Sequence, residues 1–392
     1  MGVIREFKQR DSGGSDFRQK LAVHRTKQLI KYILIGTIAF ALVIFARVQY
    51  SNQIYTGITV TSETRRVSLD TSSYLNSNGS VIAYSKDGIS KTDGTGKVLW
   101  NMTYEMQKPI VHQKGEIVAA CDYNGHVIYL ISSDGKVREI DTRLPIRDFC
   151  VSEEMMVAVI LEENNTSRID IFDENGNAIV DIKATMSKTG YPLALTLSHE
   201  VLGVSYCYVD GETMRSSVTF YNFGGVGENA ADHIVSSYDY VNAVVPIISF
   251  MDNDNVYAVA DNRLMFYSGA KKPVSSADIM LSENIIGVYN GGGNTALVFY
   301  DNTGEHKYRL DMYSRSGVKE YSYSFDQDYK DILVGRSQTC IYNESSCIVV
   351  NGNGREKFSG QFADSVISLS ATESNKKYIA VTPEQIQTLV FN

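Results

Sequence analysis

Residues 127–140 read VIYLISSDGKVREI. Two runs of β-type residues flank a short polar turn that ends in Gly135, the pattern of two strands joined by a tight hairpin. Glycine suits that place because such turns hold a residue at positive φ. The unit recurs as ISKTDGTGKVLW (89–100), IDIFDENGNAIVDI (169–182), VTFYNFGG (218–225), LMFYSG (264–269), LDMYSRSGVKEY (310–321) and CIVVNGNGREKF (347–358). The turn glycines are Gly96, Gly135, Gly176, Gly224, Gly269, Gly317 and Gly354, spaced 37 to 48 residues apart. Four-stranded propeller blades need that period.

A second marker keeps the same register. Pro109, Pro145, Pro192 and Pro246 each open an apolar run 10 to 22 residues after a turn glycine. Proline is tolerated at the start of a strand, where no ladder donor is lost. These runs are expected to be the innermost strands. The chain's last runs, SVISLSAT, KKYIAVT and IQTLVFN, supply only three strands, and RRVSLD (65–70) is expected to add the fourth and close the ring. The fold class is therefore an all-β propeller, with eight blades favoured and seven the runner-up.

Upstream of the repeats lies KYILIGTIAFALVIFAR (31–47), in which Tyr32–Ala46 carries no charge. Fifteen helical residues span roughly 22 Å, short of a ~30 Å hydrocarbon core, but Lys31 and Arg47 can snorkel and Leu29, Ile30 and Val48 lengthen the apolar run. One transmembrane helix is expected over 29–50, following a basic tail (1–28) and leading through a polar linker (51–64) into the propeller (65–392). Residues 1–31 balance at +5 and the remainder at −13. The excess of Lys and Arg before the span puts the N-terminus in the cytoplasm and the propeller outside the cell membrane. A cleaved secretory signal is the competing reading. The long basic region and the missing small-x-small site favour the uncleaved anchor.

The composition excludes several classes. So acidic an ectodomain does not bind nucleic acid. Five cysteines without a CxxC pair make neither a disulfide scaffold nor a zinc site, although Cys340 and Cys347 flank a hairpin loop and a local bridge stays open. None of the six histidines has HxxxH or HExxH spacing, and GxSxG is absent. DENGNAIVD (173–181) lacks the helical flanks and terminal Glu of a calcium loop. DNDN (252–255) and GGGN (291–294) read as turns between strands. No cofactor, metal or catalytic residue is assigned.

DGTGKVLW (93–100) resembles the repeat of quinoprotein-like propellers, which bears on fold and not on the cofactor enzymes. NMTYEMQKPIV (101–111), TGYPLALTLS (189–198), VSYCYVDGETMRSSVTFYNFGGVGEN (204–229) and DNDNVYAVADNRLMFYSG (252–269) resemble an uncharacterised family of Gram-positive bacterial membrane proteins. The resemblance implies a cell-surface anchored propeller and brings no activity with it.

One rim of the propeller carries the functional expectation. Loops between second and third strands, and between blades, emerge on one face. The residues expected there as partner-binding candidates are Tyr123, Glu162, Asp210, Arg215, Tyr240, Asp261, Arg263 and Tyr329. Acids mixed with Tyr and Arg suit a protein partner, where aromatic and Arg anchors dominate. The leading expectation is a scaffold that binds an envelope protein or cell-wall component, with the bilayer engaged through Tyr32–Ala46. An envelope hydrolase or lyase using rim or channel carboxylates, and a ligand-sensing receptor, are the alternatives.

Overall fold

The computed structural model describes residues 14–51, 53–66, 72–164, 166–184 and 189–392. The chain divides into two units, 1–53 and 54–392. In the first, Gly14–Ser51 form one continuous helix. Its Val23–Ala46 segment is long and apolar enough to cross a membrane, with a window of mean hydropathy 2.4 and no burial in the structure. At ~1.5 Å per residue these 24 residues reach about 36 Å, more than the fifteen uncharged ones alone.

The second unit is an eight-bladed β-propeller. Each blade is a four-stranded antiparallel sheet. Blades 1 to 7 follow chain order, at residues 73–103, 109–141, 146–184, 191–241, 247–280, 285–325 and 331–361. Blade 8 joins Ser368–Ala371, Lys377–Val381 and Gln385–Phe391 to the early strand Ile58–Arg65. First strands of neighbouring blades approach one another and are therefore innermost. Pro109 opens the first strand of blade 2 and Pro192 is the second residue of that in blade 4, while Pro145 and Pro246 immediately precede those of blades 3 and 5.

Closure uses a different segment from the one expected. The fourth strand of blade 8 is Ile58–Arg65, which up to Thr64 lies in the expected linker, whereas RRVSLD shares only Arg65 with it and its residues 67–70 lie outside the described ones. Nonlocal contacts decide this. Ile58 pairs Phe391 and Arg65 pairs Gln385, with a bulge between Val60 and Ser62. Just before the strand, Tyr55 is buried, 3 % exposed, beside Phe358, Tyr378 and Phe391. Its N–H donates to the Lys357 carbonyl at 2.8 Å and its hydroxyl accepts from Lys357 Nζ at 2.8 Å.

The recurrent turn joins third and fourth strands. At Gly96, Gly135, Gly176, Gly317 and Gly354, φ lies between +77° and +83°. Each glycine N–H donates to the carbonyl three residues back, and the ladder shifts register at blades 1, 3, 6 and 7, the geometry of a turn closed by a glycine bulge. The residue three before the glycine is Asp93, Ser132, Asp173, Ser314 or Asn351. Asp173 Oδ1 accepts the N–H groups of Asn175 and Asn177, both at 2.8 Å, and Asn351 Oδ1 accepts those of Asn353 and Arg355. The turn thus supplies its own acceptor for donors the strands leave over.

These glycines also seat one blade on the next. A Cβ on Gly135 would lie 2.5 Å from Trp100 Cβ in the outer strand of blade 1, and one on Gly354 would lie 2.9 Å from Tyr321 in that of blade 6. Gly96 of blade 1 meets Thr64 of the closing strand in the same way. Gly224 departs from the pattern. Its φ is not positive, because residues 223–233 form a longer connection with two short 3-10 turns, held by Asn222 Oδ1 on the N–H groups of Gly224 and Gly227.

Candidate functional site

The second-to-third-strand turns and the connections between blades share one face, here called the rim. The first-to-second and third-to-fourth turns share the other, the turn face. All eight candidate residues fall at the rim ends of strands or in rim loops. The structure gathers them into smaller groups.

On blades 2 and 3, Tyr123 and Glu162 are joined by Arg147, which the sequence reading did not single out. Arg147 sits at a bulge in the first strand of blade 3, between Ile146 and Asp148. Its Nη1 donates to the Tyr123 hydroxyl at 2.8 Å and to Asn124 Oδ1 at 2.6 Å, and its Nη2 pairs with Glu162. The guanidinium also lies 5.3 Å from the Tyr123 ring centroid, with Lys108 Nζ at 4.5 Å. Tyr123, Arg147 and Glu162 wall a cleft of about 370 Å³ that reaches Tyr191 of blade 4. The Arg is thus oriented before any ligand arrives, which lowers the ordering cost of binding.

On blade 4, Asp210 and Arg215 face each other across the hairpin, with Nε to Oδ2 at 3.1 Å. On blade 5, Arg263 pairs with Asp278 at 3.2 Å and lies over the Tyr240 ring at 5.1 Å. Tyr240 itself differs from expectation. It is 7 % exposed, and its hydroxyl bonds that of Tyr267 at 2.6 Å inside the core rather than reaching solvent. Burial pushes its pKa up to about 12. Its ring lies beneath the Arg263 guanidinium.

Asp261 is exposed. Its Oδ1 accepts the Val244 N–H at 3.1 Å and its own N–H donates to the Val244 carbonyl. Tyr329 belongs to a chain of rings on blade 6. It lies edge-on to Tyr308 at 5.2 Å, and Tyr308 stacks on the exposed Tyr300 at 5.8 Å. Asp328 Oδ1 fixes the Tyr308 hydroxyl at 2.8 Å, and His306 Nδ1 contacts Asp326 Oδ2 at 3.0 Å. That hydrogen bond raises the His306 pKa and lowers that of Asp326.

Of the other histidines, His112 lies within the first strand of blade 2, not at a strand end or loop. Its Nε2 is 3.2 Å from Asp148 on the next blade and its ring is edge-on to Phe149. Burial raises two carboxyls, Asp170 in the third strand of blade 3 and Asp331 in the first strand of blade 7. They stand four blades apart and form no acid pair. Asp252 Oδ1 accepts the N–H groups of Asp254 and Asn255, as a turn requires, and Gly292 and Gly293 close a hairpin. Cys340 and Cys347 are buried thiols on adjacent strands of blade 7. Among the described residues no cluster of His, Cys, Asp and Glu is arranged to hold a metal ion.

Eight four-stranded blades and an N-terminal helix apolar enough to cross a bilayer define a single-helix β-propeller protein. The chain belongs to the DUF5711 family, a family of unknown function whose model matches residues 51–391. No curated protein matches it in sequence. Among solved structures it is similar to apo AztD from Citrobacter koseri, with TM-score 0.54, 11 % identity, and coverage of 80 % of this chain and 95 % of that one. Dipeptidyl peptidase 4 from Porphyromonas gingivalis aligns with TM-score 0.52, 13 % identity, and coverage of 82 % and 58 %. BamB from Moraxella catarrhalis aligns at TM-score 0.47 and 13 % identity over 86 % of this chain and all of that one. At such identities the likeness to AztD and to the peptidase speaks for the propeller fold alone.

Proposed function

We propose that this protein is a membrane-anchored, extracytoplasmic scaffold whose rim docks another component of the cell envelope. The anchor is the apolar helix over Val23–Ala46, and the excess of Lys and Arg on its N-terminal side supports a cytoplasmic N-terminus. One observation carries the docking reading. Tyr and Arg side chains at the rim are held in place by the chain's own hydrogen bonds, as Arg147 is by Tyr123, Asn124 and Glu162. Such anchors dominate protein interfaces, and fixing them beforehand removes part of the entropy cost.

The test is crosslinking in intact cells followed by affinity capture of the full-length chain. A reproducible partner is expected, and Arg147→Ala should reduce its capture about tenfold, the loss of one strong anchor. Capture that is unaltered by Arg147→Ala and Arg215→Ala together refutes docking at the rim. Protease added to intact, wall-stripped cells should digest the propeller and spare the first residues. The opposite pattern refutes the topology.

A further inference from the structure

Building on the docking reading, we infer that the partner docked beside Arg147 continues over blades 4 to 6, and that the segment bound there is extended and alternates aliphatic with basic residues. Six large apolar side chains stand exposed at the rim ends of these strands: Tyr191, Val209, Met214, Val241, Met280 and Tyr300, each between 42 and 64 % accessible. Among the described residues, the strongly exposed apolar side chains of the other blades lie at the turn face or along outer strands, not at the rim. An apolar arc confined to one side of a loop face marks an interaction surface.

The arc includes a cleft of about 630 Å³ between blades 5 and 6, walled by Pro246, Ile247, Val259, Ile285 and Ile286. Ile286 is a bulge residue, set between Ile285 and Gly287 where the register shifts. Bulges re-aim side chains in this way. The wall is tied together before binding. Asn262 donates from Nδ2 to the Asn242 carbonyl at 2.9 Å and accepts the Leu281 N–H at 2.8 Å, and the paired Asp261–Val244 bonds close the same corner.

Charge selects the occupant. The arginines of the arc are already matched by the chain's own acids: Arg215 by Asp210, Arg263 by Asp278, and Arg309 by Glu283. Glu212, Asp239 and Asp261 are exposed and have no basic partner among the described residues. Among the described residues Asp261 is the one charged residue lining the cleft. Extended chains send alternate side chains to opposite sides. Aliphatic side chains can thus fill the cleft and cover Met280 and Val241, while the Lys or Arg between them meet the unmatched acids along its edges. An acidic segment would face like charge at each of these points.

The probe is a fluorescent decapeptide of alternating leucine and lysine, titrated against the full chain in phosphatidylcholine nanodiscs. Saturable binding is expected, with peptides carrying serine for leucine or glutamate for lysine at least about tenfold weaker. Met280→Ser, and the pair Asp239→Asn with Asp261→Asn, should each weaken it several-fold. All these side chains are exposed, so the variants keep the fold. Glu174→Gln on the turn face should change nothing. Equal binding of the serine–lysine peptide, or binding indifferent to both rim variants, overturns the inference. Cellular capture separates this result from the broader reading. Loss of the partner in Arg147→Ala but not in Met280→Ser keeps the scaffold and removes the arc, whereas retention in both removes docking at the rim itself.

Discussion

The two faces of the ring are built on different rules. On the turn face, five hairpins repeat one solution: a short polar residue, a glycine three residues on at positive φ, and that glycine pressed toward the outer strand of the preceding blade. On the rim, the connections vary from two to seven residues, and polar and aromatic groups are spent on fixing individual side chains such as Arg147 and Tyr308. The contrast separates a face that solves a folding problem from one free to serve binding. Substitutions of the same kind on the two faces should therefore differ sharply in their effect on stability.

The largest difference is expected for tyrosine. Tyr55 is buried at the turn face, its ring tilted against that of Phe391 with centroids 5.6 Å apart, and its hydroxyl donates to Gln338 Oε1 at 3.2 Å. Tyr55→Ala removes a large side chain from the seam between blades 7 and 8 and should cost about 3–5 kcal/mol. Tyr300→Ala, at an exposed rim position, should stay within about 0.5 kcal/mol. Denaturant unfolding of the two variants measures both. Equal losses would show that the rim is as structural as the seam.

Glycine gives a smaller and more controlled comparison. Gly135 at the turn face and Gly211 at the rim both have positive φ, +81° and +64°. A Cβ on Gly135 meets Trp100, while one on Gly211 meets nothing within 4 Å. Gly211→Ala should cost only the left-handed backbone strain, about 1–2 kcal/mol. Gly135→Ala adds the displacement of Trp100 against its own blade and should cost about 2–4 kcal/mol. If the two shifts coincide, the turn glycines serve conformation only and do not seat one blade on the next.

The same distinction explains what could be read without coordinates. A turn is written in a few adjacent residues, so Asp173 to Gly176 and Asn351 to Gly354 announce themselves, and their spacing counts the blades. Proline at Pro109 works similarly, because a missing N–H is a local property. The closing strand is not local. Ile58–Arg65 and RRVSLD are both β-type, and the choice rests on pairing with Gln385–Phe391, more than 300 residues away, and on the burial of Tyr55. Topology put the eight candidates at the rim, but not the direction in which each side chain turns. Tyr240 points inward because Tyr267 is there to receive its hydroxyl. Arg147 was invisible because a bulge, set by pairing with the neighbouring strand, turns it toward Tyr123.

The smallest effect lies wholly on the rim, in the contact between His306 and Asp326. Its hydrogen bond raises the histidine and lowers the aspartate. A histidine raised on folding contributes stability that is complete below its unfolded pKa of about 6.5 and is lost as pH rises through the folded value. The aspartate, lowered on folding, contributes above its unfolded pKa of about 4 and is lost as pH falls through the folded one. The pair therefore acts fully only between those two unfolded values, and both groups are open to solvent, so salt screens it. NMR titration of the His306 ring should give a midpoint above 6.5 that falls in Asp326→Asn and in high salt. A midpoint indifferent to Asp326→Asn would mean that this rim loop is held by the Lys307 N–H bond to Asp326 and by Lys307 with Asp328, and not by the histidine.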